Sequence, residues 1–511
     1  MPARPVIHIV RNARDSPLWQ VINDTFPKLV DYVRHHDQHV PSFVERELEA
    51  FLACGQIDRG FTHIRCASCD ARQLVPFTCK SRSLCPSCCG RRMNQTSLHL
   101  VESVIPHVPV RQWVLTFPAP LRYLLAYDTE LCSKTVALFV HRVMDHYRFV
   151  LAREQNVDVA RLQGGTVTSI QRAGSALQAS LHLHCIALDG AFLVGDSGPP
   201  RFFAAPRVTP AEIQAVAWDT CQAVMGMLRK RGLDLTGDGD DSLDRLAEEY
   251  PLLARCLSAS QQGVVAVGDD AGRRLQRGGY AVEPVAANDS ESAQQTPGYG
   301  FNLHAGRRVP ACDRRGLERL CRYVLSPPVS ADRVTRLPDG RVAYRLKRRW
   351  SDGTSVVYFS ALDFVSKLMA LIPRPRVHLI RYHGCLAPRS KLRRQVVPQP
   401  PRSSPRSASS RGHDGPQLRL LDRGPAPRWI ARAELLEHVF GTEASPRCQV
   451  CGSGRLEVVS VVRRWDAICA VLDGFNLSFE GRVLTRSRGP PWGQLELGLF
   501  STDGSLDRQA A

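Results

Sequence analysis

Two cysteine pairs, Cys66-x2-Cys69 and Cys85-x2-Cys88, stand fifteen residues apart in a chain of 511. Each pair can curl two thiolates toward one centre, and two such knuckles complete the tetrahedron that zinc favours. The spacing predicts one closed structural zinc, with Cys79 and Cys89 as spare thiols able to substitute for a neighbour; four unrelated buried cysteines are the alternative. Cys448 and Cys451 form half of a second zinc site, which His438 or Cys469 would have to complete. In Leu181-His182-Leu183-His184-Cys185, strand alternation sets both imidazoles on one surface and Leu181, Leu183 and Cys185 on the other. Two imidazoles side by side suit a divalent cation, although two histidines in a β-run are also found simply packed. Tyr323 closes the helical string Leu317-Glu-Arg-Leu-Cys-Arg-Tyr323, just before Pro327-Pro328. There a phenol can act as a nucleophile, and Arg319 and Arg322 can hold a phosphate or lower the phenol pKa. The plainer reading of Tyr323 is an amphipathic core-edge residue.

These residues need elements to place them. Apolar spacing predicts helices over Leu18 to Ala53, interrupted at Pro41, as a lead-in spanning residues 1–55. Periodicity vanishes where the cysteines crowd, so a zinc-binding domain is expected over 56–95. A strand at Trp113 to Phe117, a long helix from about Leu131 to Leu151 and a hairpin of Val167 to Ile170 with Ala179 to Leu188 open an α/β domain over 105–390. Helices at Arg314 to Leu325 and Ala361 to Leu371 belong to the same domain, each stopped by proline. Gly, Asp, Ser and Gln enrich residues 235–300, which predicts a surface insertion with a helix near Leu243 to Leu257. Residues 391–428 read as a flexible basic linker, since so few large apolar groups cannot offset chain entropy. A C-terminal segment over 429–511 carries the Cys448 knuckle and a short helix at Trp429 to Phe440.

Lys and Arg outnumber Asp and Glu by 67 to 49, a net charge of +18 that favours a polyanion, with nucleic acid foremost. Arg65, Arg72, Lys80, Arg82, Arg91 and Arg92 surround the cysteines against one acid, Asp70, as a DNA-docking face would, or merely a solvated one. His378, Arg381, Tyr382 and His383 lie in a second basic stretch with Arg374, Arg376, Arg389 and Lys391, where an aromatic among cations suits single-stranded DNA. No apolar run of about 18 residues exists to span a bilayer, and Met1 to Asp15 lacks a secretory apolar core. A cytoplasmic, nucleoid-associated protein is therefore expected, with its 17 cysteines acting as metal ligands and buried thiols.

Four motifs occur in one order: the cysteine region with Phe77-Thr-Cys-Lys-Ser-Arg and Cys85-Pro-Ser-Cys88; Ser169-Ile-Gln-Arg-Ala-Gly-Ser with His182-Leu-His184 and Leu188-Asp-Gly190; the Tyr323 string with its two prolines; and Val377-His-Leu-Ile-Arg-Tyr-His-Gly384 with Ala387-Pro388. In this the chain resembles the IS91-family transposases of bacteria, including the ISCR elements, over most of Phe51 to Pro398. The resemblance implies an α/β (α+β) fold: an HUH endonuclease domain with a central antiparallel sheet flanked by helices, a small N-terminal zinc finger and a flexible basic tail. It implies that His182 and His184 hold a divalent catalytic ion, Mg2+ or Mn2+, beside the structural Zn2+. Tyr323 then attacks DNA to give a 5′-phosphotyrosine and a free 3′-hydroxyl. Single-stranded DNA at the ends of the protein's own mobile element, and target DNA, are the implied partners. His304 is the candidate third metal ligand, ahead of Gln171 and Asp189. Two-tyrosine members carry a second tyrosine where this chain has Arg319, so the chain resembles the single-tyrosine branch. A plasmid relaxase or rolling-circle initiator would use the same chemistry at another DNA site, and a non-catalytic zinc-dependent regulator would not need Tyr323 at all.

Overall fold

The computed structural model describes residues 13–195, 198–233, 246–279, 293–296, 299–398, 448, 450–452 and 454–475. The basic linker from residue 399 onward, the Trp429 to Phe440 helix, His438 and, within the 235–300 segment, residues 235–245, 280–292 and 297–298 lie outside them.

Helices Pro17–Arg34 and Ser42–Leu52 form where the apolar spacing predicts them, with Pro41 directly before the second. Pro17 starts the first at a position whose amide has no partner in any helix, and its stripe of Leu18, Val21, Ile22, Phe26, Leu29 and Val33 is buried. This stripe shares one core with helices Pro251–Gln262 and Ala361–Leu371 and with a small sheet ordered Val334–Arg336, Val342–Arg345, Val356–Phe359, Gln276–Gly278. Part of the expected surface insertion is therefore interior. Leu252, Leu253, Cys256 and Leu257 are buried in that core, and Ala293–Gln295 adds a strand to the main sheet. Loop-forming composition dominates the segment, but one apolar helical stripe within it suffices to bring a stretch inside.

The main sheet is antiparallel, in the order Ala293–Gln295, Asn302–His304, Val110–Thr116, Ala179–Leu188, Gly165–Ala173, Ile380–Gly384, with Arg308–Val309 also pairing to Val110–Thr116. Helices flank it on both faces. Trp113, Leu115, Leu183 and Cys185 point to one face, which helices Thr129–Gln155 and Pro210–Arg229 cover. On the other, Val110, Val167, Ile186 and Leu188 pack beneath Pro86–Ser103 and Arg314–Val324. That cover stops where the strand residues turn polar, so Thr116, His182, Gln171 and Asn302 occupy the same face beyond the apolar rows. Gly384 ends the edge strand at φ +62°, and a Cβ there would lie 2.1 Å from the Gly164 carbonyl oxygen, so glycine is required.

A third sheet, ordered Leu456–Val462, Phe61–Cys66, Arg72–Pro76, joins the C-terminal segment to the N-terminal cysteine region. Ile468 and Leu472 of helix Trp465–Gly474 close its small core with Phe61, Leu74 and Val462. Among the described residues no helix is long and apolar enough to cross a membrane.

Candidate active site and metal centres

His182 and His184 lie on the central strand Ala179–Leu188, opposite Thr116 and Val114 on one side and Gln171 and Ser169 on the other. Directly opposed residues share a face, so the imidazoles stand together, with ring centroids 4.9 Å apart. The Ser180 carbonyl oxygen accepts from His182 Nδ1 at 2.8 Å, because a carbonyl can only accept. That tautomer leaves the Nε2 lone pair unprotonated, the form a metal takes. His184 Nδ1 accepts at 2.9 Å from the side-chain amide nitrogen of the buried Gln112, which fixes its ring in the other tautomer, with the proton on Nε2.

Helix Arg314–Val324 buries Leu317, Leu320, Cys321 and Val324 on the sheet and leaves Tyr323 on its flank, 45% exposed. The Asp313 carboxylate caps its first turn by accepting from the Gly316 amide. Gln171 Nε2 donates to the Val324 carbonyl at 2.6 Å, so the strand that flanks His182 also holds the helix end. The result is a convergence: the Tyr323 ring meets the His184 ring edge-on, with centroids 5.6 Å apart. Lys347 Nζ sits 5.3 Å from the Tyr323 ring centroid.

Several expected residues have other engagements. Arg319 faces Asp313 at 3.9 Å and Arg322 pairs with Glu318 at 2.7 Å, so Lys347 is the cation set against the tyrosine. A helical cation four residues after an acid meets it along the helix face; Lys347 arrives from the loop after strand Val342–Arg345, a long-range contact signalled in sequence only by the run Lys347-Arg-Arg349. His304 opposes Val114, which opposes His184, placing it on the same face two strands away, roughly 10 Å between Cα atoms. Among the described residues no third His, Cys, Asp or Glu ligand atom joins the imidazole pair within 4.8 Å. Gln171 is spent on the helix end, and Asp189 is wholly buried between Arg111 and Arg308. Tyr382 packs beside Arg393, and burial holds its phenol above the ordinary value. His383 is half-buried on the edge strand, and Arg381 reaches the His378 carbonyl. In the cysteine region Arg82 donates to the Val377 carbonyl and Arg92 to that of Lys80, while Arg91 is exposed.

The single zinc expected of Cys66, Cys69, Cys85 and Cys88 is replaced by two separate groups, Cys54, Cys79, Cys85, Cys88 and Cys66, Cys69, Cys448, Cys451. Spacing says that a CxxC pair shares a centre but not which pair completes it. In the first group the sulfurs of Cys54 and Cys88, Cys54 and Cys85, and Cys79 and Cys88 lie 3.7, 3.7 and 3.5 Å apart. A tetrahedron with zinc–sulfur bonds of about 2.3 Å has edges of about 3.8 Å, so four thiolates could close on one zinc. Hydrogen bonds from Cys79 and Cys54 hold the thiols of Cys54 and Cys88, respectively, below the ordinary range. Cys89 is a packed thiol, pushed up to about 12 by burial, and Cys469 lies on helix Trp465–Gly474 outside both groups. Cys54, at the end of the lead-in helix, and Gln112, a polar residue in an apolar strand, are members that spacing gave no reason to select.

Burial lowers the pKa of His182, takes that of His184 to about 3 with help from the His182 charge, and takes that of His383 to about 4. A folded-state pKa below the unfolded one near 6.5 means that the unfolded chain binds protons first as pH falls. Stability is therefore complete above about pH 6.5 and declines toward pH 4. Urea midpoints at pH 7.5 and 5.0 should differ in that direction, and the decline should be shallower in His383→Asn; equal midpoints would contradict these burials.

Residues 165–394 match a transposase family described as "Putative transposase", and residues 23–117 match the transposase zinc-binding domain of the IS91 type. No curated protein and no solved structure matches the chain. The first match contains both histidines, Tyr323 and Lys347, and the second contains Cys54 to Cys88. With both matches in order over more than half the chain, and cysteines gathered as structural zinc requires, the chain belongs to the IS91 family of transposases, with DNA as its partner.

Proposed function

We propose that the protein nicks and joins single-stranded DNA at the ends of its own mobile element, and to target DNA, through a 5′-phosphotyrosine on Tyr323. One observation carries this reading: two imidazoles and a tyrosine far apart in sequence stand ring to ring on one sheet face, at 4.9 and 5.6 Å. Burial keeps both imidazoles neutral, and His182 presents a free Nε2 to a divalent cation, Mg2+ or Mn2+; His184 would join it once the Gln112 amide turns its oxygen to Nδ1, with His304, two strands away on the same face, as the third ligand if its side chain swings in. When bound there, that ion would neutralise charge on the scissile phosphate.

The chain's own residues account for the rest. Tyr323 Oη forms the new bond to phosphorus as the bond to the 3′-oxygen breaks. The phenol proton passes to solvent, and the departing 3′-oxygen takes one up. Lys347 favours the phenolate and the phosphate charge. The covalent link conserves the phosphodiester energy, so rejoining by a 3′-hydroxyl needs no ATP. Arg91 and Arg92 beside the cysteines, Arg82 at their junction with residue 377, and Arg381, Tyr382 and His383 on the sheet edge would track the strand. Arg319, one helical turn before Tyr323, and Arg322, next to it in the chain, are further phosphate partners if their carboxylates release them. The transposase match favours element ends over a plasmid origin as the substrate.

His182→Ala should reduce cleavage of a labelled single-stranded element end in Mn2+ by about 10²–10³-fold or more, with DNA affinity within a few-fold of wild type, since basic groups supply most of the binding. Cleavage at the normal rate would move the metal site elsewhere. Specific binding with no protein-linked product in the wild type would favour a non-catalytic regulator.

A further inference from the structure

The cysteines that the sequence left half-assigned sit together. Cys66 and Cys451 sulfurs lie 3.8 Å apart and those of Cys69 and Cys448 3.6 Å apart, again the edge length of a zinc tetrathiolate. The two knuckles are built alike. In Cys66-Ala-Ser-Cys69 the Asp70 amide donates to the Cys66 carbonyl, and in Cys448-Gln-Val-Cys451 the Gly452 amide donates to the Cys448 carbonyl. Asp70 and Gly452 each take positive φ, +55° and +70°, which turns the chain back over the sulfurs. Ser68 N donates to Cys66 Sγ and Gly454 N to Cys451 Sγ, the backbone support that a thiolate ligand uses. A Cβ at Gly454 would meet Cys66 Sγ at 2.1 Å and Cys451 Sγ at 2.9 Å, so the chain leaves out a side chain where the four sulfurs converge.

We propose that Cys66, Cys69, Cys448 and Cys451 bind a second structural zinc, which clamps residues 448–475 onto the N-terminal domain. The four thiols release their protons to solvent as the ion enters, and no other bond changes. Its two ligand pairs, Cys66 with Cys69 and Cys448 with Cys451, are separated by the 378 residues from 70 to 447. Closing so long a loop is costly for a three-stranded sheet with a core of only five buried side chains, and metal coordination offsets that cost. This ion also differs from the first in access. Cys451 is exposed and Cys69 half-exposed, whereas Cys54 and Cys85 are buried in the large N-terminal core. The outer ion should therefore exchange with a chelator first, and its loss should release the strand Leu456–Val462 from Phe61–Cys66.

The test uses full-length protein with zinc determined by elemental analysis. Wild type should contain two equivalents and release one to a colorimetric chelator at least tenfold faster than the other. Cys448→Ser/Cys451→Ser should contain one, with faster amide exchange over 456–462 and unchanged exchange in helix Pro17–Arg34. Gly454→Ala, which removes no ligand, should also lose the outer ion. Cys85→Ser should lose the inner one. One equivalent in the wild type, or two retained in the Cys448/Cys451 variant, would overturn the proposal; neither outcome bears on the tyrosine chemistry.

Discussion

Tyr323→Phe should eliminate the covalent protein–DNA adduct while leaving thermal stability and single-strand affinity near wild type. The change removes one oxygen from a side chain that is 45% exposed, and substitutions in such positions usually move stability by no more than about 0.5 kcal/mol. The ring stays, and with it the edge contact to His184 and the approach of Lys347. What goes is the only atom able to bond to phosphorus, so the adduct should fall below detection rather than merely slow. Three other tyrosines of the same domain are engaged elsewhere. Tyr344 is buried in the small sheet, Tyr358 lies under Arg341, and Tyr382 packs beside Arg393. Mass spectrometry of adduct trapped on wild type should place the nucleotide on the Tyr323 peptide; a different tyrosine, or undiminished adduct in Tyr323→Phe, would refute the mechanism.

The elements around this site were legible because each has a local cause. Strand alternation set His182 and His184 on one face, and a 3.6-residue stripe stopped by Pro327-Pro328 gave the tyrosine helix. Both predictions concern neighbours in sequence. The cysteine pairing did not follow from spacing, because a knuckle fixes two ligands and leaves the completing pair to tertiary structure. Cys85 and Cys88 take Cys54 and Cys79, while Cys66 and Cys69 take a knuckle from the far end of the chain. Lys347 was missed for the same reason, and Arg319 and Arg322 were favoured because proximity in sequence makes helix neighbours visible; those same neighbours supply the carboxylates that engage them. Asp189 could be recognised as part of a motif with Gly190, but its work is apparent only once Arg111, Tyr147 and Arg308 are seen around it.

That work makes Asp189→Ala the largest expected loss of stability in the sheet. Asp189 follows the histidine strand directly and is wholly buried. Its Oδ1 accepts from Arg111 Nε at 2.8 Å and from Tyr147 Oη at 2.9 Å, and its Oδ2 from Arg308 Nε at 2.6 Å. Tyr147 in turn accepts from Trp113 Nε1 at 3.2 Å, so the carboxylate joins the strand beneath the site to the long helix Thr129–Gln155. Replacing such a pair by apolar groups can be neutral, but removing one partner leaves an uncompensated buried charge, which costs about 3–5 kcal/mol. Arg111 would be that charge, since it is buried with one other acceptor, the Ala305 carbonyl. Arg308 is half-exposed and can turn to water, so Arg308→Ala should cost no more than about 1 kcal/mol. Comparing the two variants by urea denaturation therefore separates the buried pair from the rim pair. The Asp189→Ala protein should also lose adduct formation as a consequence of the loosened strand, and a variant as stable as wild type would show that packing, not this carboxylate, holds the histidine strand in register.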